Sequence, residues 1–470
     1  MKKYFLIPIL SGLLFTVSCT DQLDRVPVDS LVEATAFQTV SDLENGITGA
    51  LGNLNPDNMV AFNAIFTDNC RIGINNGGQQ LALLSQQLNS NGGDQGLWVD
   101  RYNVINGLNR VLAAAESVTP GQGETARFND VRGMALALRA YLHLEVLSYY
   151  GFNMLDGSAL GVVYQNFVAT ERTGERNTTA EVFTEIENDL SAAAALITST
   201  DVNFPTADFI TFTRARAALY SGNYSTAVSL AGSLIAKYPL ANPTQYAAMF
   251  GGDADATEVI WKFDNVQGAN NSVAGNFIFT GTGGDFIEAS TELRNAYSAG
   301  DIRRDIALTA STAASPFNVG DSWTINKYPP NADANYINDF KIMRVSEMYL
   351  VRAEANARQS AFTQAASDVR AVRTARGSSV VTPVYTSLNE AMQDIIDERR
   401  LELCFEGHRY LDLKRTKDLF NVGITRDAAD VGYTNNNFPS SVSATDNRFI
   451  FPLPDAEVNA NTEITQAPGY

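Results

Sequence analysis

Between Ser387 and Arg415 the chain reads SLNEAMQDIIDERRLELCFEGHRYLDLKR, and this stretch restricts the possible folds more than any other. Ser387 and Glu390 have the spacing of a capping box, and Leu388, Met392, Ile395, Ile396 and Leu403 recur along one helical face. A helix that ends at Gly407 is the expectation. Glu398, Arg399, Arg400, Glu402, Glu406, His408, Arg409, Asp412 and Arg415 are threaded between apolar residues. Such a pattern fits either a catalytic carboxylate and guanidinium cluster or a buried ion-pair lock. Burying ions is costly unless they are paired and hydrogen-bonded, and here each sign has close partners. The lock is the favoured reading, its role being to fix how the C-terminal half docks.

Composition narrows the chemistry. The chain has 470 residues with 45% hydrophobic content, enough for a sizeable core. Its net charge of -18 argues against nucleic acid as a partner, because phosphate-backbone affinity depends on clustered cations. A neutral ligand suits that charge better than an anionic one. Cys19, Cys70 and Cys404 cannot build a disulfide framework, and neither Cys-x-x-Cys nor paired-His spacing exists for zinc, so no metal and no cofactor is expected. The two histidines, His143 and His408, lie in an apolar helical pattern and in the mixed-charge stretch, so a Ser/His/Asp triad would have to recruit one of two structurally employed residues.

The N-terminus, MKKYFLIPILSGLLFTVSCTDQLD, has a basic start, an apolar run from Tyr4 to Val17, and Ser18 before Cys19. Residues 1–18 read as a lipoprotein signal peptide with Cys19 as the lipidated residue, although Thr16 replaces the usual leucine. The apolar run is shorter than the ~20 residues that a spanning helix needs. The membrane is therefore met through the lipid anchor.

Downstream, residues 30–54 read as a helix capped by Ser41 and Glu44, and 55–96 as Asn- and Gly-rich loops around a short helix. A helix follows from Gly96 to Ser117 with Trp98 in the core, then a second capped by Asn129 and ended at Gly151, then a third from Thr179 to Ile197. In ARAALYSGNYSTAVSLAGSLIAKYP, the residues Gly222, Tyr224, Ala227, Ala231 and Pro239 have the spacing of a tetratricopeptide helix pair, and Ala353, Ala357, Phe362, Ala365 and Ala366 repeat it. EVIWKF reads as a short strand with Trp261 packed inside, whereas Trp323 lies among turn residues and is the candidate exposed aromatic. The fold class expected is mainly α, with tetratricopeptide-like helix pairs as scaffold and long irregular loops with a few short strands on the ligand-binding face.

Four segments resemble the SusD/RagB family of outer-membrane nutrient-binding lipoproteins: SCTDQLDRVPVDS, RGMALALRAYLHLEVLSYYG, KIMRVSEMYLVRAEANA and, most specifically, DERRLELCFEGHRYLDLKR. The ending FPLPDAEVNANTEITQAPGY is also similar. The resemblance implies one SusD-like unit over residues 19–470, with an N-terminal half to about 250 and a C-terminal half from about 251. It further implies a lipid-anchored protein on the cell surface at the outer membrane, not an enzyme, that captures an oligosaccharide and delivers it to a SusC-like TonB-dependent transporter. By analogy of location, the ligand would meet Trp323, with Tyr297 as a second platform and Asp68, Arg71, Asn75 and Asn76 as polar partners. For those four polar residues an ordinary loop or turn role is the stronger reading.

A peptide-binding lid and a surface glycoside hydrolase remain alternatives at this level. The hydrolase requires two carboxylates about 5 to 9 Å apart in a cleft, and no loop presents an obvious pair beside an aromatic cleft. Cys19→Ala is expected to leave a folded protein that no longer fractionates with membranes. Unchanged fractionation in the absence of any transporter refutes lipidation.

Overall fold

The computed structural model describes residues 36–92, 96–168, 175–265, 272–278, 285–311, 322–329, 337–431 and 438–470. Cys19 and the signal segment lie outside them. The described chain is mainly helical. Its helices begin with α1 (Val40–Gly52), α2 (Asp57–Ile65), the single turn α3 (Leu81–Leu84), α4 (Leu97–Ala115), α5 (Thr125–Tyr150) and α6 (Thr179–Ala194). α7 (Ala207–Tyr220), α8 (Tyr224–Lys237) and α9 (Pro243–Phe250) follow, then α10 (Thr291–Ala296) and α11 (Ile302–Ala307). The C-terminal part adds α12 (Val345–Arg358), α13 (Phe362–Ala375), α14 (Leu388–Leu403) and α15 (Arg409–Phe420).

Side chains set these limits. The box at the start of α1 is Thr39 with Asp42, two residues before the expected Ser41 and Glu44: the Thr39 hydroxyl accepts from the Asp42 N–H, and the Asp42 carboxylate accepts from the Thr39 N–H. α5 starts at Thr125, so Asn129 lies within it and caps nothing. Both repeat pairs form. α7 and α8 meet through Gly222 at φ 79°, and α12 and α13 through Ser360 at φ 61°. Ala227, Ala231, Ala353, Ala357 and Ala365 are fully buried where a larger side chain would hold the helices apart.

Strand β2 (Val259–Phe263) pairs antiparallel with β6 (Phe340–Arg344), and Trp261 is enclosed between the ring edges or faces of Tyr141 and Phe209. A four-stranded sheet in the order β1-β3-β5-β4 joins β1 (Cys70–Ile72), β3 (Ile287–Ala289), β5 (Trp323–Ile325) and β4 (Leu308–Ala310). Strands are thus few and short.

The mixed-charge stretch is a lock. Glu402 of α14 accepts from Arg344 at 2.9 Å, from Arg376 at 2.9 and 3.0 Å, and from Arg303 at 3.3 Å. Glu258, at the start of β2, shares Arg344 and Arg376, while Glu406 accepts from Arg344 and Lys327. Glu398 and Asp301 take the remaining arms of Arg303. All of these side chains are essentially inaccessible. Removing one partner from such a group leaves a buried unpaired charge and destabilises by about 3–5 kcal/mol.

A second layer surrounds the turn after α14, which ends at Leu403, before Gly407. Phe405 adopts φ 62° and Gly407 φ 85°, and a Cβ on Gly407 would come within 2.8 Å of Met59. Arg399 binds Asp412, Arg415 binds Glu354 and Asp412, and Arg216 binds Glu347. Lys414, by contrast, donates to three backbone carbonyls, those of Ser148, Tyr149 and Gly151, at 2.9, 2.9 and 3.0 Å. Arg176 binds the carbonyls of Gly161 and Tyr150, and Arg426 those of Ile65, Phe66 and Thr67. Cations on the last carbonyls of α5 and α2 complement the negative ends of those helices.

His408 carries a pH dependence. Burial, with Arg216 and Arg399 nearby and against the opposing pull of Glu347 and Asp412, lowers its pKa from 6.5 to about 4. The fold therefore favours the neutral ring, and this contribution is complete above pH 6.5 and lost as pH falls towards 4. Glu347 and Asp412 are buried, which opposes ionisation, yet arginines hold each at about 2, so their contribution is lost at lower pH still. Urea unfolding is expected to show stability falling between pH 6.5 and 4, by up to about 3 kcal/mol from His408 alone. His408→Gln should flatten that slope; an unchanged slope overturns the assignment.

Candidate functional site

The small sheet gathers most of the residues expected at the ligand. In the register, Arg71 on β1 faces Glu288 on β3, Glu288 faces Thr324 on β5, and Trp323 faces Ala310 on β4. Asp68 immediately precedes this sheet, and Asn75 and Asn76 follow its first strand. Five of the six expected residues therefore lie on or beside one element. Their surroundings then separate them.

Trp323 is half-buried, with the guanidinium carbon of Arg294 5.4 Å from its ring centroid. Its indole keeps partial exposure, and the segment directly before it, 312–321, lies outside the described residues. Asn75 is half-buried, and its backbone N–H donates to the Asp285 carbonyl at 3.2 Å. Asn76 is a turn former. Its side-chain amide donates to the carbonyls of Gln79 and Phe286 at 2.7 and 2.8 Å, and its oxygen accepts from the Gly78 N–H.

Three expectations need correction. Tyr297 is a core residue rather than a second platform: its ring is buried and its hydroxyl donates to the Leu401 carbonyl at 3.1 Å beside Cys404. Burial pushes that hydroxyl well above its usual range. Arg71 is committed to Glu288 at 3.1 and 3.3 Å and to the Thr291 hydroxyl at 3.1 Å. The Glu288 carboxyl is nonetheless pushed up by burial, although Arg71 and Ser322 oppose the shift. Asp68 accepts from Arg409 at 2.8 and 2.6 Å and lies 3.4 Å from Arg400. Burial opposes its ionisation, and the two arginines overcome it, holding the carboxyl well below the usual range. Arg71 and Asp68 thus hold the site's framework.

This framework includes residues that sequence reasoning kept apart from the site. Arg400 and Arg409 belong to the mixed-charge stretch, which is distant in sequence from the aromatic loops, yet both reach Asp68. Together with Glu292, Gln393 and Asp397 they line a cleft of about 210 Å³. The mixed-charge stretch is thus ion-paired to Asp68, just ahead of the sheet. Arg294 was also missed, since nothing in its helical context marks it as a neighbour of Trp323.

Among the described residues, no group of three His, Cys, Asp or Glu side chains is placed to hold a metal ion. None of the described helices is long and apolar enough to cross a membrane.

The described elements thus form a helix-pair scaffold that carries a small sheet, with Trp323 half-exposed on it. Residues 322–470 match the SusD family model, and residues 21–219 match a model described as starch-binding, associating with outer membrane. The chain belongs to the SusD family. It is 25% identical over 534 residues to SusD-like protein P2 of Formosa agariphila, covering 100% of both chains. Among solved structures, a putative sugar binding protein from Bacteroides vulgatus superposes with a TM-score of 0.77 at 23% identity, over 93% of this chain and 100% of that one. A SusD superfamily protein from Bacteroides thetaiotaomicron gives 0.78 at 20% identity, over 92% and 100%. At these identities the structural likeness concerns the fold.

Asp68→Asn should lower the unfolding free energy by about 3–5 kcal/mol, because it leaves Arg409 and Arg400 buried beside a neutral amide. Denaturant titration measures this, and a loss below about 1 kcal/mol would show that the pair is not structural.

Proposed function

We propose that this protein is a cell-surface glycan-binding lipoprotein, anchored through Cys19, that captures an oligosaccharide and passes it to a SusC-like TonB-dependent outer-membrane transporter. The model matched by residues 21–219, described as starch-binding and associating with outer membrane, supports a carbohydrate ligand there, and the SusD family match over residues 322–470 agrees with it. The observation that carries the site is Trp323. It is a large aromatic left half-exposed at the start of the inner strand β5, in a sheet where Arg71 and Glu288 are already paired. Sugars present C–H faces to aromatic rings and hydroxyls to amides, and Trp323 with Asn75 offers that combination. Asp68 and Arg71 hold the face in place without touching the ligand. In this reading the protein binds and does not hydrolyse its glycan.

A glycan array on the full chain in detergent, followed by calorimetry on the best ligand, tests the reading. Trp323→Ala is expected to weaken binding by about 1–3 kcal/mol, by loose analogy with bases stacked on aromatic rings, with unfolding midpoint unchanged. Equal affinity in the variant moves the site elsewhere. Release of reducing ends on prolonged incubation, abolished by one carboxylate substitution, replaces the binder with a hydrolase.

A further inference from the structure

A second cleft, of about 600 Å³, lies away from the elements of the small sheet. It opens between the turn after α5, the α7–α8 turn, the end of α12, the helix α15 and the strand-free C-terminal segment. That volume is in the range of small-molecule sites.

Its charge runs against the chain's. Four cations, Arg358, Lys414, Arg415 and Lys417, and three carboxylates, Glu354, Asp418 and Asp446, line it in a protein of net charge -18. The carboxylates are engaged. Glu354 gives its two oxygens to Arg415 at 2.8 and 3.0 Å, Asp446 gives both of its own to Arg448 at 2.8 and 2.7 Å, and the exposed Asp418 accepts from Lys417 at 2.7 Å, a solvent-facing pair that a ligand carboxylate can share. The cations are not all answered. Arg358 has a single 3.5 Å contact with the already shared Glu354, and its Nε is enclosed without an acceptor among the described residues. Lys414 binds carbonyls and has no carboxylate partner among the described residues. Its three N–H bonds meet three acceptors, and burial, with Arg176 and Lys417 nearby, pushes the ammonium well towards neutrality, so Lys414 is not the group that meets the ligand.

The same walls suit a sugar ring. Tyr224 and Phe152 are half-buried aromatics at the cleft, and Asn153 and Thr445 are exposed hydrogen-bonding groups there. We infer that this cleft is a second ligand site, taking a sugar acid of one or two rings whose carboxylate meets Arg358 and Lys417 and whose ring lies against Tyr224. It is separate from the Trp323 face and does not depend on the ligand bound there.

Calorimetry with sodium glucuronate, and with glucose as the uncharged control, tests this on the full chain in detergent. Saturable binding of glucuronate alone is expected. Arg358→Gln should weaken it about 10- to 100-fold, as the loss of a charged hydrogen bond does, and Trp323→Ala should leave it unchanged. Lys417→Gln, at a more exposed position, should also weaken it and decides the matter if Arg358→Gln does not fold. Absence of saturable glucuronate binding, equal binding of glucose, full affinity in the folded Arg358→Gln or, failing that, Lys417→Gln variant, or loss of binding in Trp323→Ala each overturns the inference.

Discussion

The carboxylate of Glu402 is the point on which the molecule turns. Three guanidinium groups reach it, from the helix α11, from the end of β6 and from the residue after α13. An anion so enclosed is tolerable because every one of those cations also has a second anion, at Asp301, Glu258 or Glu406. The gain over an apolar core of the same shape is in geometry more than in free energy. Buried ion pairs are weak contributors to stability when intact and strong penalties when broken. The second tetratricopeptide-like pair, the strand pair β2–β6 and the helix before the small sheet's fourth strand therefore share one register, set by directional bonds that an oily interface would not impose.

Around this centre the same stretch of chain makes further groups of ionic contacts. Arg399 and Arg415 carry them to α15 and α12, and Arg400 and Arg409 carry them to Asp68 beside the sheet. A surface on which a tryptophan is left half-exposed has to be stiff if it is to hold a ligand, because mobility of the platform would be lost on binding. The sheet is only four short strands, too small to be rigid by itself. Its stiffness comes from Arg71 and Glu288 within it and from the lock behind it.

Helices were legible in the sequence where they are amphipathic. α4, α7, α8, α13 and α14 each keep one wet face, so their periods are visible, whereas the buried α12 was legible through the spacing of its small residues. α2 illustrates the opposite case. Almost all of Asp57–Ile65 is buried, so DNMVAFNAI has no polar stripe and could be read only as a short helix of unstated place within loops. The lock was legible as a composition of charges, but its partners were not. Glu258 lies 118 residues before Arg376, and Asp68 lies 341 before Arg409. Without an alignment no local pattern joins such positions. For the same reason Asp68 and Arg71 looked like loop residues open to a ligand, and Tyr297 looked like a free aromatic. Each has its partner far along the chain. Trp323 kept its candidacy because no such partner encloses it.

The carbonyl-bound cations place a condition on how this chain is made. The end of α5 is closed by Lys414, 263 residues further on, and the end of α2 by Arg426, 361 residues further on. Until those side chains arrive, the carbonyls of Ser148, Tyr149 and Gly151 and of Ile65, Phe66 and Thr67 lack these partners. The N-terminal half therefore lacks two of its helix terminators while the rest is still being synthesised. Completion has to wait for the last sixty or so residues, so any truncation before them removes the terminators of helices that were built first.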